Sequence, residues 1–223
     1  MTIPLQRLWQ RYNLCSLGIF VFTGSLFIAM VIGYNAMSQE IINNRIIIDS
    51  RMTFSEATAG TKAPKKVIDA LCLIDVRYYS FDGKLHLGQL IVHKTVRKDI
   101  LDIFAWIEKT RFPVDRAIPI VRYNWSDKAS MADNNTSAFN YRFVQGTKRL
   151  SHHAFGRALD INPCQNPVIY KDGRIDPPGA VYRSDKAGAF SEASPIVQAF
   201  LSRGWQWGAH FKTVKDHHHF QKL

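Results

Sequence analysis

The chain has 223 residues, 46% of them hydrophobic, a formal net charge of +11 and three cysteines. That length buries one good core and leaves little room for two full catalytic domains. The positive balance favours an anionic partner, lipid head groups or wall polymers, through long-range, salt-screened attraction; with no basic cluster interleaved with aromatics, nucleic acid is not the expected partner.

An uncharged run from Tyr12 to Gln39 precedes the domain, with an apolar centre from Leu14 to Gly33. As a helix that centre spans roughly 30 Å, the thickness of the hydrocarbon layer. It is longer than the roughly 7 to 15 apolar residues of a cleaved signal, and Ala36 and Ser38 make a poor cleavage site. Residues 1–38 are therefore expected to be a cytoplasmic tip and a retained transmembrane helix. Arg7 and Arg11 precede the helix and Glu40 is the first charge after it, so the remainder is placed outside the cytoplasm. Cys15 has no lipobox-like approach. Export permits a disulfide between Cys72 and Cys164, and two buried free thiols fit the sequence equally well.

Polar residues 39–63 read as a stalk, and residues 64–223 as the single folded domain. Asp82-Gly83, between apolar runs Leu73 to Ser80 and Leu85 to His93, predicts a hairpin. Thr95 is the expected cap of a helix carrying Val96, Ile100, Ile103, Phe104 and Ile107 at helical spacing and ending before Phe112-Pro113. A strand is expected at Ile118 to Tyr123, then a long polar loop, then strand-like Ala138 to Val144. Arg157 to Ile161 alternates as a strand, with Ala158 and Asp160 on one face. After an irregular excursion over 164–193, Ser194-Pro195 starts a short helix that Gly204 closes; final strands are expected at Trp205 to Trp207 and His219 to Leu223. The class is α+β, an antiparallel sheet with helices packed on it.

The chemistry is concentrated in Ser151-His152-His153-Ala154-Phe155-Gly156-Arg157-Ala158-Leu159-Asp160 and Asp216-His217-His218-His219. Two imidazoles and one carboxylate are the ligand set of a catalytic zinc with an open position, and a further carboxylate beside them takes a proton from water. Gly156 permits the bend that returns His153 to a strand carboxylate, Asp160. His219 completes the set, and Asp216, on the approach loop, is the expected base. Arg142 is the candidate for stabilising a developing oxyanion. The bland reading of the histidine run is adventitious metal binding.

Ser151-x-His153-x-x-Gly156-x-Ala158-x-Asp160, with Gly204-Trp205-x-Trp207-Gly208 and Asp216-x-x-His219-Phe220, closely resembles the zinc D-alanyl-D-alanine carboxypeptidases, a family that includes VanY-like enzymes and L-alanyl-D-glutamate endopeptidases. The resemblance covers roughly residues 64 to 223. It implies a hedgehog/D-Ala-D-Ala-peptidase fold, zinc on His153, Asp160 and His219, catalysis by Asp216, and peptidoglycan stem peptides as substrate. Arg142 resembles the family's oxyanion-stabilising arginine and Ser151 the motif serine near bound substrate. With the N-terminal helix this makes a single-pass protein of the bacterial cell membrane. Ala209-His210-Phe211 departs from the family's common Gly-Asp-Trp. A non-catalytic zinc-binding domain that recognises cell wall is the alternative, since a fold can keep its metal and lose turnover. Both carboxypeptidase and endopeptidase specificities fit the sequence.

Overall fold

The computed structural model describes residues 46–223. The expected transmembrane helix and Cys15 lie outside them. Among the described residues no helix is long and apolar enough to cross a membrane.

Residues 46–63, expected as part of a stalk, belong instead to the folded unit that runs from Ile46 to Leu223. Strand β1 (Ile47–Ile48) pairs in parallel with His86 and Leu87. Its neighbours explain the attachment: Asp49 accepts from the Tyr78 hydroxyl and meets His86 Nδ1 at 2.9 Å, while the Ser50 hydroxyl donates to Gln89 Oε1 at 2.7 Å. Helix α1 (Phe54–Ala57) carries a Thr53/Glu56 capping box, and Ala57 is fully buried against Leu71, Ile91 and Phe139. The polarity that suggests a stalk is spent on bonds into the sheet.

Helix α2 (Lys65–Ile68) leads into the predicted hairpin, β2 (Leu71–Tyr79) and β3 (Leu85–His93), antiparallel with Ile74 opposite Leu90. Gly83 turns it with φ +75°, a left-handed conformation free of strain only for glycine. Ile74, Val76 and Tyr78 alternate inward on β2, as a period of two requires. They receive the buried stripe Ile100, Ile103, Phe104 and Ile107 of α3 (Arg97–Thr110). Burying each such side chain is worth about 1.5 to 3 kcal/mol, so this contact anchors the domain. Thr95 does not cap α3: it lies in a preceding 3-10 turn, where the His93 side chain accepts from the Thr95 N–H.

The strand expected at 118–123 reduces to β4 (Arg116–Ala117), followed by a 3-10 turn over Ile120–Tyr123. Pro119 opens that turn and left-handed Asn124 closes it. The polar loop beyond contains α4 (Asp127–Ala132), capped by Ser126, and β5 (Asn135–Thr136), parallel to β4. Residues 138–144 form no strand ladder; Phe143 makes an isolated bridge to Leu150.

The distal half holds two further three-stranded sheets. One contains β6 (Ala158–Asp160), the other β7 (Val168–Tyr170) and β8 (Ile175–Asp176). Helix α5 (Pro195–Leu201) precedes β9 (Gln206–Trp207), β10 (Val214–Asp216) and β11 (His219–Gln221). The orders are β6-β11-β9 and β10-β7-β8. The fold is thus mixed α+β as expected, but among the described residues it is built of four small sheets with two parallel pairings rather than one antiparallel sheet. Phe220 is the hub of the distal core, stacked on Phe200 with centroids 4.0 Å apart and edge-on to Phe190 at 5.3 Å. Cys72 and Cys164 are both free.

Candidate metal centre

The site is made by register. Strand β11 lies between β6 and β9, and antiparallel pairing sets His219 directly opposite Asp160, Phe220 opposite Leu159 and Gln221 opposite Ala158. Directly opposed residues project from the same face, so the outward phase of β11 delivers an imidazole to a carboxylate while Phe220 enters the core. The small Ala158 leaves room beside them.

The third donor comes from a 3-10 turn, His152–Phe155, that the motif itself builds. Ser151 caps it, its Oγ accepting from the His153 N–H at 3.3 Å, and Gly156 ends it at φ +64°. A Cβ on Gly156 would stand 2.7 Å from both the His93 nitrogen and Leu71 Cδ2, so the motif glycine is required for space as well as for φ. His153 Nε2 consequently lies 3.0 Å from Asp160 Oδ2 and 3.2 Å from His219 Nδ1, which is 2.9 Å from Asp160 Oδ1. His153, Asp160 and His219 are all buried, with donor atoms within 4.8 Å of one another.

The outer nitrogens fix the tautomers. His153 Nδ1 faces the Ala138 carbonyl at 2.5 Å, and His219 Nε2 faces Gln221 Oε1 at 3.1 Å. The Gln221 amide nitrogen is itself engaged by Gln206 at 2.9 Å, which leaves its oxygen to accept. Each outer nitrogen therefore carries a hydrogen, and two imidazole lone pairs converge on one point beside a carboxylate. That arrangement calls for a cation. Tetrahedral bonds of about 2.1 Å would separate donors by about 3.4 Å, near the spacing seen, and the outer acceptors are the orienting partners typical of histidine ligands.

Electrostatics agree. Burial pushes the Asp160 carboxyl up, but the adjoining His153, His218 and His219 imidazoles hold it well below the usual carboxylate range. Burial likewise lowers His219, yet Asp160, followed by Asp216 and Gln221, raises it to about 9. The cluster stabilises positive charge at its centre, and without a metal a proton supplies it.

Asp216 lies on strand β10 rather than on a loop, paired with Val168. Its Oδ1 is buried with no aligned hydrogen-bond partner, although His218 Nε2 stands 3.1 Å away. His218 was not singled out by the sequence, yet it is buried, with Nδ1 on the Asn166 carbonyl at 2.8 Å and Nε2 also 3.9 Å from Asp160 Oδ2. It bridges the two carboxylates. The three consecutive histidines do not form a metal-binding patch: His217 turns away and stacks on Tyr182 of the 164–193 excursion, centroids 3.8 Å apart. Burial, then His218 and Lys215, lowers His217 to about 4.

Arg142 is joined to the motif through the Ser151 N–H, which donates to the Arg142 carbonyl at 3.0 Å. Its Nη2 pairs with Asp127 of α4 at 2.8 Å, and its Nε is buried without a partner. Ser151 is itself buried as the turn's cap. His210, in the divergent segment, pairs with Glu192 at 2.5 Å and joins no donor cluster, whereas Phe211 packs near His219 at 5.8 Å between centroids.

Fold and site together define an α+β protein with a buried centre of two histidines and one aspartate. Residues 145–222 match the family described as D-alanyl-D-alanine carboxypeptidase. The match spans about a third of the chain and includes all three donors and Asp216, while Arg142 and Asp127 precede it. No curated protein and no solved structure matches the chain.

Proposed function

We propose that this protein is a zinc-dependent peptidase that cleaves peptidoglycan stem peptides outside the cytoplasm, held at the bacterial cell membrane by its N-terminal apolar segment. The observation that carries the reading is the convergence of His153, Asp160 and His219 inside the stretch similar to carboxypeptidases. Zinc held there would act as a Lewis acid and bring the pKa of a bound water to roughly 7.

The chain's own residues do the rest. Asp216, whose Oδ1 makes no aligned hydrogen bond, accepts the proton of the attacking water and returns it to the leaving amine. His218, tied to the Asn166 carbonyl, keeps that carboxylate in place. Arg142, braced by Asp127, offers its guanidinium to the developing oxyanion. Ser151 shapes the turn at the edge of the substrate site.

Incubating the purified, zinc-loaded protein with a defined pentapeptide stem and analysing products by mass spectrometry tests this. Release of D-Ala identifies a carboxypeptidase; an internal cut identifies an endopeptidase. Asp216→Ala is expected to keep its zinc and lose about 10²- to 10⁴-fold in rate. Zinc bound in full with every stem peptide left intact would refute the proposal and favour a non-catalytic wall-recognition domain.

A further inference from the structure

Buried polar side-chain atoms without a hydrogen-bond partner are rare in folded proteins, and each calls for a ligand or a structural cause. Among the described residues they gather on two segments: Thr136 Oγ1, Asn140 Nδ2 and Arg142 Nε on one, Asp216 Oδ1 and His217 Nδ1 on the other, with Arg116 Nε apart. Arg142 and Asp216 already have parts in the proposed reaction. Asn140 has none, although it is only 4% exposed.

The path of the chain fixes the side on which Asn140 lies. Phe139 and Tyr141 pack with Ala57, Leu71 and Ile91, whereas Ala138 packs with the main core. In an extended stretch the alternate residues Ala138, Asn140 and Arg142 therefore share the other side. Three hydrogen bonds lay this stretch along the motif turn: His153 Nδ1 meets the Ala138 carbonyl at 2.5 Å, the Asn140 N–H donates to the His153 carbonyl at 3.1 Å, and the Ser151 N–H donates to the Arg142 carbonyl at 3.0 Å. Asn140 is thereby set beside His153, a donor of the proposed metal centre, and two positions before Arg142.

A buried amide donor left alone weakens the fold, and a ligand that supplies an acceptor recovers the loss. Arg142 is placed alike: its Nη2 is taken by Asp127 at 2.8 Å and its Nη1 reaches the Phe143 carbonyl at 3.5 Å, while Nε has no partner. One neutral and one cationic donor on the same side of one stretch suit a group rich in acceptor oxygens, a peptide carbonyl or a carboxylate. We infer that Asn140 is a substrate-contacting residue whose side-chain amide donates to an oxygen of the bound peptide on the Arg142 side of the site. The inference deepens the peptidase reading and takes the identity of the substrate from it.

Isothermal titration of the full-length, zinc-loaded Asp216→Ala protein, chosen to hold substrate without rapid turnover, with a defined pentapeptide stem and with its C-terminal amide tests this. Adding Asn140→Ala is expected to weaken the stem about tenfold with zinc content unchanged. An equal loss on the amide assigns the bond to a main-chain carbonyl; a loss confined to the free acid assigns it to the terminal carboxylate. Asn140→Leu, which fills the space and donates nothing, is expected to weaken the stem by the same factor while keeping or raising the urea midpoint, because it removes an unsatisfied donor. Affinity within about twofold of the parent in both variants, no binding to the parent, or a urea midpoint in Asn140→Leu that falls in step with affinity would overturn the inference. A stem that binds through Asn140 and is never cut by the wild-type protein would overturn the peptidase reading and leave this inference standing.

Discussion

Adding one methyl group at Gly208 probes how Asp216 and His219, the proposed general base and third ligand, share space. An ideal Cβ there would stand 2.4 Å from the Asp216 carbonyl oxygen, 2.9 Å from Asp216 Cβ and 3.1 Å from His219 Cβ. The nearest atom is backbone in a paired strand, so it has no rotamer by which to escape. Restoring a tolerable 3.0 Å requires about 0.6 Å of movement in the segment that carries both side chains, three times the roughly 0.2 Å to which metal–ligand distances hold. Overpacking of this kind costs about 1 to 3 kcal/mol, out of a total stability of about 5 to 15. Gly204→Ala is the control: at φ +77° with nothing within 4 Å of the added carbon, it costs about 1 to 2 kcal/mol of backbone strain alone. Urea denaturation should show both losses, whereas competition with a chromophoric chelator should show zinc weakened at least about tenfold only in Gly208→Ala. Zinc affinity within about twofold of wild type in that variant would refute the argument that Gly208 makes room for the site.

Three further outcomes are expected. Zinc must displace the proton that His219 holds up to about 9, so apparent affinity should rise about tenfold per pH unit through the neutral range and level off above pH 9; Asp160 is already ionised there and adds no slope. In the metal-free protein the same group stabilises the fold below its unfolded value of about 6.5, and that contribution is lost as pH rises towards 9; a chelator titration flat from pH 6 to 8 would contradict both statements. Asp127→Ala should leave zinc content intact and reduce kcat about tenfold or more by freeing Arg142, with partial recovery in Asp127→Glu; unchanged kcat would remove Arg142 from the reaction. Asp49→Ala deprives Tyr78 and His86 of their acceptor and should cost about 1 to 3 kcal/mol, read out as faster proteolysis within residues 46–57.

Where the sequence was legible, a local rule settled the matter. Asp82-Gly83 permits few turns, the stripe from Ile100 to Ile107 has one periodicity, and the motif from Ser151 to Asp160 encodes its own cap, bend and alternation. The unread parts depend on distant partners. Ser50 and Asp49 look like linker residues until Gln89 and His86 stand beside them. Ile118 to Tyr123 is β-branched, but Pro119 and left-handed Asn124 close it into one turn. His218 carries no periodic signal: its neighbours in the run face Tyr182 and Asp160, and only the turn between β10 and β11 directs it to the carboxylates. Asp127 as the partner of Arg142 was equally hidden, because the two approach through a loop folded around α4.

The antiparallel pairing of β11 with β6 also orders events during biosynthesis. Asp160 and its partner His219 are separated by 59 positions, and β11 fills the middle of its sheet. A nascent chain that has emerged only as far as the helix after the excursion offers two donors on an unfinished ladder and has no means of gripping an ion. On the zinc reading proposed above, metallation would therefore be a late event, and a captured ion would certify that the final strand has docked.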